Sequence, residues 1–485
     1  MSWVYKTAVQ QLEALRTGEI SAQELLQETI QHTEELIPYI NPVALKLYER
    51  AREFAQKADM KLARKQGGPL CGLPITVKDS QWLAGYRCAN GSLSLKDFVP
   101  GETSQSIQRL ERAGAVIFAK TTCPEFSLSG ITDSELYGTT SNPWNIGHTP
   151  GGSSGGAGAA VAAGMGSLSL GGDGGGSIRI PASFCGITGF KPSFGNVPRA
   201  PGFSTWESIV SYGPMTRSVD DAQLMYDVLL GKKPEIRNQR DLSSPLKMVA
   251  SVDLGFAPVD DAVRRVFNET VEKIQSAGHK VNSGHPGLSS SVSTWAITAT
   301  HDMWKHKGQQ AKENVGDYAK EFIKFGSMFS ESDFADARIR REEIHLAYSE
   351  FFKRQQTDIL ITPAMGCEAF VHGRAFPEKI GNTEITYPWL DWAGFLYDAN
   401  LMGCPACSIP MGTGDNGLPL GLQVLGLPGT DDHVLKVARE LETIIGWKAP
   451  EFTKDHYMVG EPSLSDSEVN GVAAQSNTQQ PALVQ

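Results

Sequence analysis

Between Gly151 and Gly186 the chain reads GGSSGGAGAAVAAGMGSLSLGGDGGGSIRIPASFCG. Two glycine clusters, each carrying serine, flank an alanine-rich run. A glycine in regular structure gives up roughly 0.5–1 kcal/mol against alanine. A chain that concentrates glycine this way needs its backbone to come very close to something, either another element or a ligand. The flanking sequence shows what fold holds that backbone. Leu73–Ser80 (LPITVKDS) reads as a strand, Ser104–Ala113 as a helix and Ala115–Ala119 as a buried strand. Further strands are expected at 247–252, 358–362 and 420–426, with helical runs at 261–277, 309–329, 333–355 and 431–446. The alanine-rich run itself reads as a helix that sets the distance between the clusters. Alternation of this kind predicts an α/β fold, a central mixed twisted sheet flanked by helices on both sides. Residues 1–66 read as helices, with Gly18 closing the first and a Ser21/Glu24 capping box opening the next.

Of the 485 residues, 44 are Lys or Arg and 54 are Asp or Glu, a net charge of −10. That balance, with no basic cluster, argues against nucleic acid or an anionic membrane as partner. The start lacks a basic region followed by an apolar run, and no 18-residue apolar stretch occurs, so the cytoplasm is the expected compartment. Seven scattered cysteines fit reduced thiols. Cys404 and Cys407 form C-x-x-C but lack the context of a redox or zinc site, and read as small core residues. His301 and His306 are five apart and do not share a helical face, so no metal site is expected.

Three chemistries compete for the glycines. A Walker loop needs G-K-[ST], which neither cluster has, and a dinucleotide fingerprint needs a preceding strand where His148-Thr-Pro150 makes a turn. A G-x-S-x-G elbow fits around Ser153 or Ser154 but wants a strand before it and an Asp–His pair after it. Asp398, Asp415, His433 and His456 could be nominated, with nothing around them to suggest a triad. The third reading uses both clusters. Gly174, Gly175 and Gly176 before Ser177 let successive N–H groups converge on one anion, and beside a serine hydroxyl that nest becomes an oxyanion hole. Ser177 then needs a base. Lys78, at the end of a buried strand and on the face shared with Thr76, could supply it once lost hydration lowers its pKa. On residues alone the alternative, a solvated strand-end lysine, stays open.

These segments resemble the amidase signature family. The resemblance rests on Lys78, on the glycine–serine run 151–156, and on Gly171–Pro181 with Ser153 and Ser177 separated by 24 positions. It extends to Tyr137–Trp144, Gly186–Pro192, Gly213–Arg217, Asn400–Pro410 and Gly417–Gln423, and covers roughly residues 5–447. It implies a Ser–Ser–Lys triad: Ser177 as nucleophile, Ser153 as bridging serine after a cis Gly152–Ser153 bond, Lys78 as base. It also implies oxyanion donors at the N–H groups of Gly174, Gly175, Gly176 and Ser177, with Ser127 and Leu128 lining the acyl side. No cofactor is implied. The expected organisation is a helical segment 1–66 packed on a catalytic domain 67–460, followed by a disordered tail 461–485. The expected partner is a small-molecule amide, with a homodimer left open.

Two departures carry expectations. Gly172 and Gly174 stand where the family often has larger residues, which predicts a looser loop. Ile180 stands where the amidotransferase members carry glutamine, which argues against transamidation. The leading reading is a stand-alone hydrolase of a small or medium amide, anilide or carbamate. The competing ones are an amidotransferase A-type subunit or partner-dependent hydrolase working in a complex, or a catalytically silent binding scaffold; the intact Lys78, Ser153 and Ser177 count against the scaffold. Aromatic residues crowd Tyr387–Tyr397, as core or as an apolar wall for an acyl or aryl group.

Overall fold

A computed structural model describes residues 2–203, 206, 208–234, 245–307, 315–385 and 391–458. The expected disordered tail and part of the 309–329 run lie outside them, as do Tyr387 to Leu390.

Eleven strands form one sheet. In chain order they are β1 Val43–Lys46, β2 Pro74–Lys78, β3 Val116–Thr121, β4 Leu168–Asp173, β5 Thr188–Lys191 and β6 Ser211–Thr216, then β7 Lys247–Ala250, β8 Lys280–Ser283, β9 Leu360–Pro363, β10 Ala406–Thr413 and β11 Pro419–Leu425. Their spatial order is β1-β3-β2-β4-β6-β5-β10-β11-β9-β7-β8. The sheet is mixed. β3, β2 and β4 run parallel, as do β9, β7 and β8, while the strands between them pair antiparallel. One continuous apolar core joins N-terminal Leu12 and Leu25 to Ile75 and to Val424 near the C-terminus. The molecule is a single α/β domain, as the alternation predicted.

Capping residues set helix ends where expected. Ser21 accepts from the Glu24 N–H at 3.1 Å, while the Glu24 carboxylate accepts from the Ser21 N–H at 2.9 Å. The reading of 1–66 as wholly helical is corrected at Val43–Lys46, which pairs antiparallel with β3 and forms the sheet edge. Helix Val292–Lys307 went unread. Its threonine- and alanine-rich sequence packs on several sides, so no single apolar stripe marks it.

The parallel trio positions the site. In parallel sheets, ligands gather beyond the carboxyl ends of the strands. Lys78 is the last residue of β2, Gly174 to Ser177 of the second glycine cluster follow β4, and Cys123 to Leu128 follow β3. Helix Gly155–Ala162 lies against this trio, wholly buried. A Cβ on its Gly156 would stand 2.3 Å from Thr122 Oγ1, so the later glycines of the first cluster serve close helix–sheet packing.

Candidate active site

Lys78 is 2% exposed, which rules out the solvated strand-end reading. All five residues of β2 are buried, because parallel neighbours flank it on both sides. Alternation puts Thr76 on the Lys78 face, where its hydroxyl donates to Ser169 Oγ at 2.8 Å. Asp79 points the other way, paired with Lys120 Nζ at 3.0 Å and accepting from the Tyr137 hydroxyl at 2.7 Å. Among the described residues Lys78 therefore has no carboxylate partner, and its Nζ donates to Ser153 Oγ at 2.6 Å. Burial draws its pKa down to about 8, against the pull of Cys123 and Asp173. At neutral pH a usable fraction of this amine is free base.

Ser153 follows a cis bond from Gly152. Thr132 holds the loop on both sides: its hydroxyl donates to the Gly151 carbonyl at 2.8 Å and accepts from the Gly155 N–H at 3.1 Å. The Ser154 hydroxyl exchanges hydrogen bonds with the Gly172 backbone instead of meeting Lys78. Its N–H donates to the Ser177 carbonyl at 3.1 Å, tying the two clusters together. Lys78, Ser153 and Ser177 line one cleft. The hydroxyls of Ser153 and Ser177 share no hydrogen bond among the described residues.

The second cluster is organised by Asp173, which ends β4 fully buried. Arg179 clamps it with two bonds of 2.9 Å, and Asn400 Nδ2 adds one of 3.0 Å. Burial alone would raise this carboxyl; the Arg179 and Lys191 charges and these bonds outweigh it and hold it far below the usual carboxylate range. Asp173 also accepts from the N–H groups of Gly176, at 2.7 Å, and Ile178, at 3.2 Å. Two expectations change here. The Gly176 N–H is committed to Asp173, so Gly174, Gly175 and Ser177 are the remaining donors of the predicted four. The loop is also not loose. A Cβ on Gly174 would come within 2.3 Å of the Trp206 ring, one on Gly175 within 2.5 Å of Trp295, and one on Gly176 within 2.3 Å of Leu396. The space that larger residues would take is filled by the Trp206 and Trp295 rings and by Leu396, and Trp295 Nε1 donates to the Gly174 carbonyl at 2.8 Å.

Two clefts meet at Ser177 and Trp206. One holds Lys78, Ser153, Asn90 and Ser127. The other is walled by Leu128, Ile180, Trp295, Tyr318, Trp392 and Tyr397. Ser127 and Leu128, expected together on the acyl side, thus fall on opposite sides of Ser177. Trp392 and Tyr397 of the aromatic stretch line the second cleft, while Phe395 is core. Sequence reading missed Thr132, Asp173, Trp206 and Asn90. The signal for Asp173 was present, as an acid between glycines with Arg179 six residues on.

Other nominated residues sit elsewhere. Asp398 accepts from Tyr348, His433 faces Asp358, and His301 stacks on Phe334. Cys404 and Cys407 are buried and free. Among the described residues no cluster fits a metal ion, and no helix is long and apolar enough to cross a membrane.

The sequence model of the Amidase family matches residues 24–435. The A subunit of the glutamyl-tRNA(Gln) amidotransferase of Prochlorococcus marinus (strain MIT 9303) is 31% identical over 475 residues, covering 89% of this chain and 95% of its own. An acylamidase of Rhodococcus erythropolis is 29% identical over 466 residues, covering 91% and 96%. A solved bacterial aryl acylamidase superposes with a TM-score of 0.82 at 26% identity, over 94% of this chain and 99% of its own. The chain belongs to the amidase signature family. Within it, the chain is an amide-hydrolysing enzyme.

Proposed function

We propose that the protein is a serine-dependent amidase working through Lys78, Ser153 and Ser177, with an acyl-enzyme on Ser177. The observation that carries this is the 2.6 Å contact between a buried lysine of lowered pKa and a serine hydroxyl, in the cleft that also holds Ser177. Neutral Lys78 takes the proton of Ser153, and Ser153 takes that of Ser177 as substrate brings the hydroxyls together; such bonds are commonly loose before substrate binds. Ser177 Oγ attacks the amide carbon, and the N–H groups of Gly174, Gly175 and Ser177 receive the oxyanion. Ser153 returns a proton to the departing amine, and water then hydrolyses the ester by the same relay.

The clefts divide the substrate. The amine leaves beside Ser153, its proton source, so the cleft holding Lys78 and Ser153 takes the amine part. The aromatic cleft takes the acyl part. The substrate class proposed is a small or medium amide, including anilides and carbamates, and acylamidases are among the relatives. The amidotransferase relatives supply the competing reading, a component that works only in a complex. Against it, Ile180, 3% exposed beside Ser177, gives the site an apolar wall there.

Purified protein alone should release amine from simple amides, and Ser177→Ala should cut the rate at least about 10³-fold without unfolding. A fluorophosphonate should label Ser177 by mass. Wild-type-like turnover by the alanine variant would end the nucleophile assignment. Activity that emerges only with a partner protein would favour the amidotransferase reading.

A further inference from the structure

The amine-side cleft contains a polar group that the relay does not use. Asn90 is 4% exposed and lines that cleft with Lys78, Ser153 and Ser177. Its backbone is left-handed, at φ 47°, a conformation asparagine tolerates better than most residues. Its carbonyl accepts from the Phe126 N–H at 2.8 Å, which fixes the backbone. Its side-chain Oδ1 accepts from the Ser127 hydroxyl at 2.8 Å and from Cys123 Sγ at 3.6 Å. Burial pushes the Cys123 thiol up to about 12, so it keeps its proton and meets Oδ1 as a donor. Two donors on Oδ1 fix the amide orientation. Nδ2 has no acceptor among the described residues, though it carries two donors in a nearly buried site. At the wall of the cleft these donors are open to a ligand, and a ligand group that accepts from them gains a hydrogen bond the protein does not supply.

We infer that Asn90 is a specificity-determining residue whose Nδ2 donates to a hydrogen-bond acceptor on the amine part of the substrate. The preferred substrates are then amides whose leaving amine carries a carbonyl, ether or aza nitrogen near the scissile nitrogen. This rests on the assignment of the amine side above. Asn90 moves no proton and touches no reacting atom; it selects and orients. Ser127 and Cys123 act through it, by holding the amide so that its donors face the cleft. A site built to donate discriminates against analogues that offer no acceptor.

The test is a series with one acyl group and varied amines: aniline and cyclohexylamine without an added acceptor, and 2-methoxyaniline, 3-aminopyridine and glycinamide with one. Wild type should favour at least one acceptor-bearing member over its bare counterpart by about 5–10-fold in kcat/KM, the scale of one hydrogen bond. Asn90→Gly keeps the left-handed backbone accessible and should collapse that ratio towards one, chiefly through KM. Asn90→Asp, which keeps the shape but loses the donor, should collapse it too. No preference in wild type, or a preference that survives both substitutions, overturns the inference. So does an equal loss on every substrate, the mark of a structural role. Failure of wild type to hydrolyse any member would overturn the amidase reading as well, whereas hydrolysis without preference strikes only the role of Asn90.

Discussion

Two lysines end strands of the same sheet, are buried to the same degree and are drawn by burial to the same pKa, about 8. Lys78 ends β2 and Lys191 ends β5. Arg179 also presses on the Lys191 charge, but the difference that matters for chemistry is the hydrogen-bond partner. Lys78 Nζ meets the Ser153 hydroxyl, whereas Lys191 Nζ donates to the carbonyls of Cys404, at 2.5 Å, and Pro192, at 3.0 Å. A hydroxyl has a proton to yield and a carbonyl has none. Desolvation makes an amine available as a base at either place, but only the neighbour gives it something to deprotonate. A lowered lysine pKa alone therefore does not find a catalytic site.

The comparison breaks most sharply with paired substitutions. Lys78→Met should lower kcat/KM by about 10²–10⁴, the range for loss of a positioned general base, while leaving the protein folded. Near-normal turnover by this variant would remove Lys78 from the relay. The pH profile sharpens the point. Lys78 must be neutral to act, so kcat/KM should climb about tenfold per pH unit up to about 8 and level off above it. A profile flat from pH 6 to 9 would contradict the assignment. Lys191→Met should leave both the profile and the rate per folded molecule within about threefold. Its effect should fall on stability instead, since it strands two carbonyl acceptors at roughly 1–3 kcal/mol each, partly offset by relief of a buried charge. A lower melting temperature with intact activity is the expected pair of readings. A shifted pH profile would mean that the two lysines are coupled.

What the sequence disclosed follows from where its signals are local. Lys78, Ser153 and Ser177 stand in short, ordered motifs, and the strand reading of 73–80 placed Lys78 correctly on the Thr76 face. β4 was harder to read because Gly171 and Gly172 of the second cluster lie inside it, just before its last residue Asp173, so a strand end looked like loop. The looseness expected at Gly174 failed because residues far along the chain, Trp206 and Trp295, fill the space beside it. Asn90 gave no local signal at all. Its meaning depends on Ser127 and Cys123, which reach it only after β3 has crossed the sheet. Motif spacing reports contacts along a segment, and it is silent about what the fold later presses against that segment.

Trp206 belongs to the wall of both clefts, which on the proposed reading take the acyl and the amine parts. Its ring also leaves no room for a side chain on Gly174. The two halves of substrate preference are therefore not independent traits. A smaller residue at 206 would enlarge both clefts at once and unpack the glycine loop at Gly174. Selection for a new acyl group by that route would alter the choice of amine in the same step, whereas changes at Trp392 or Asn90 could adjust one half alone.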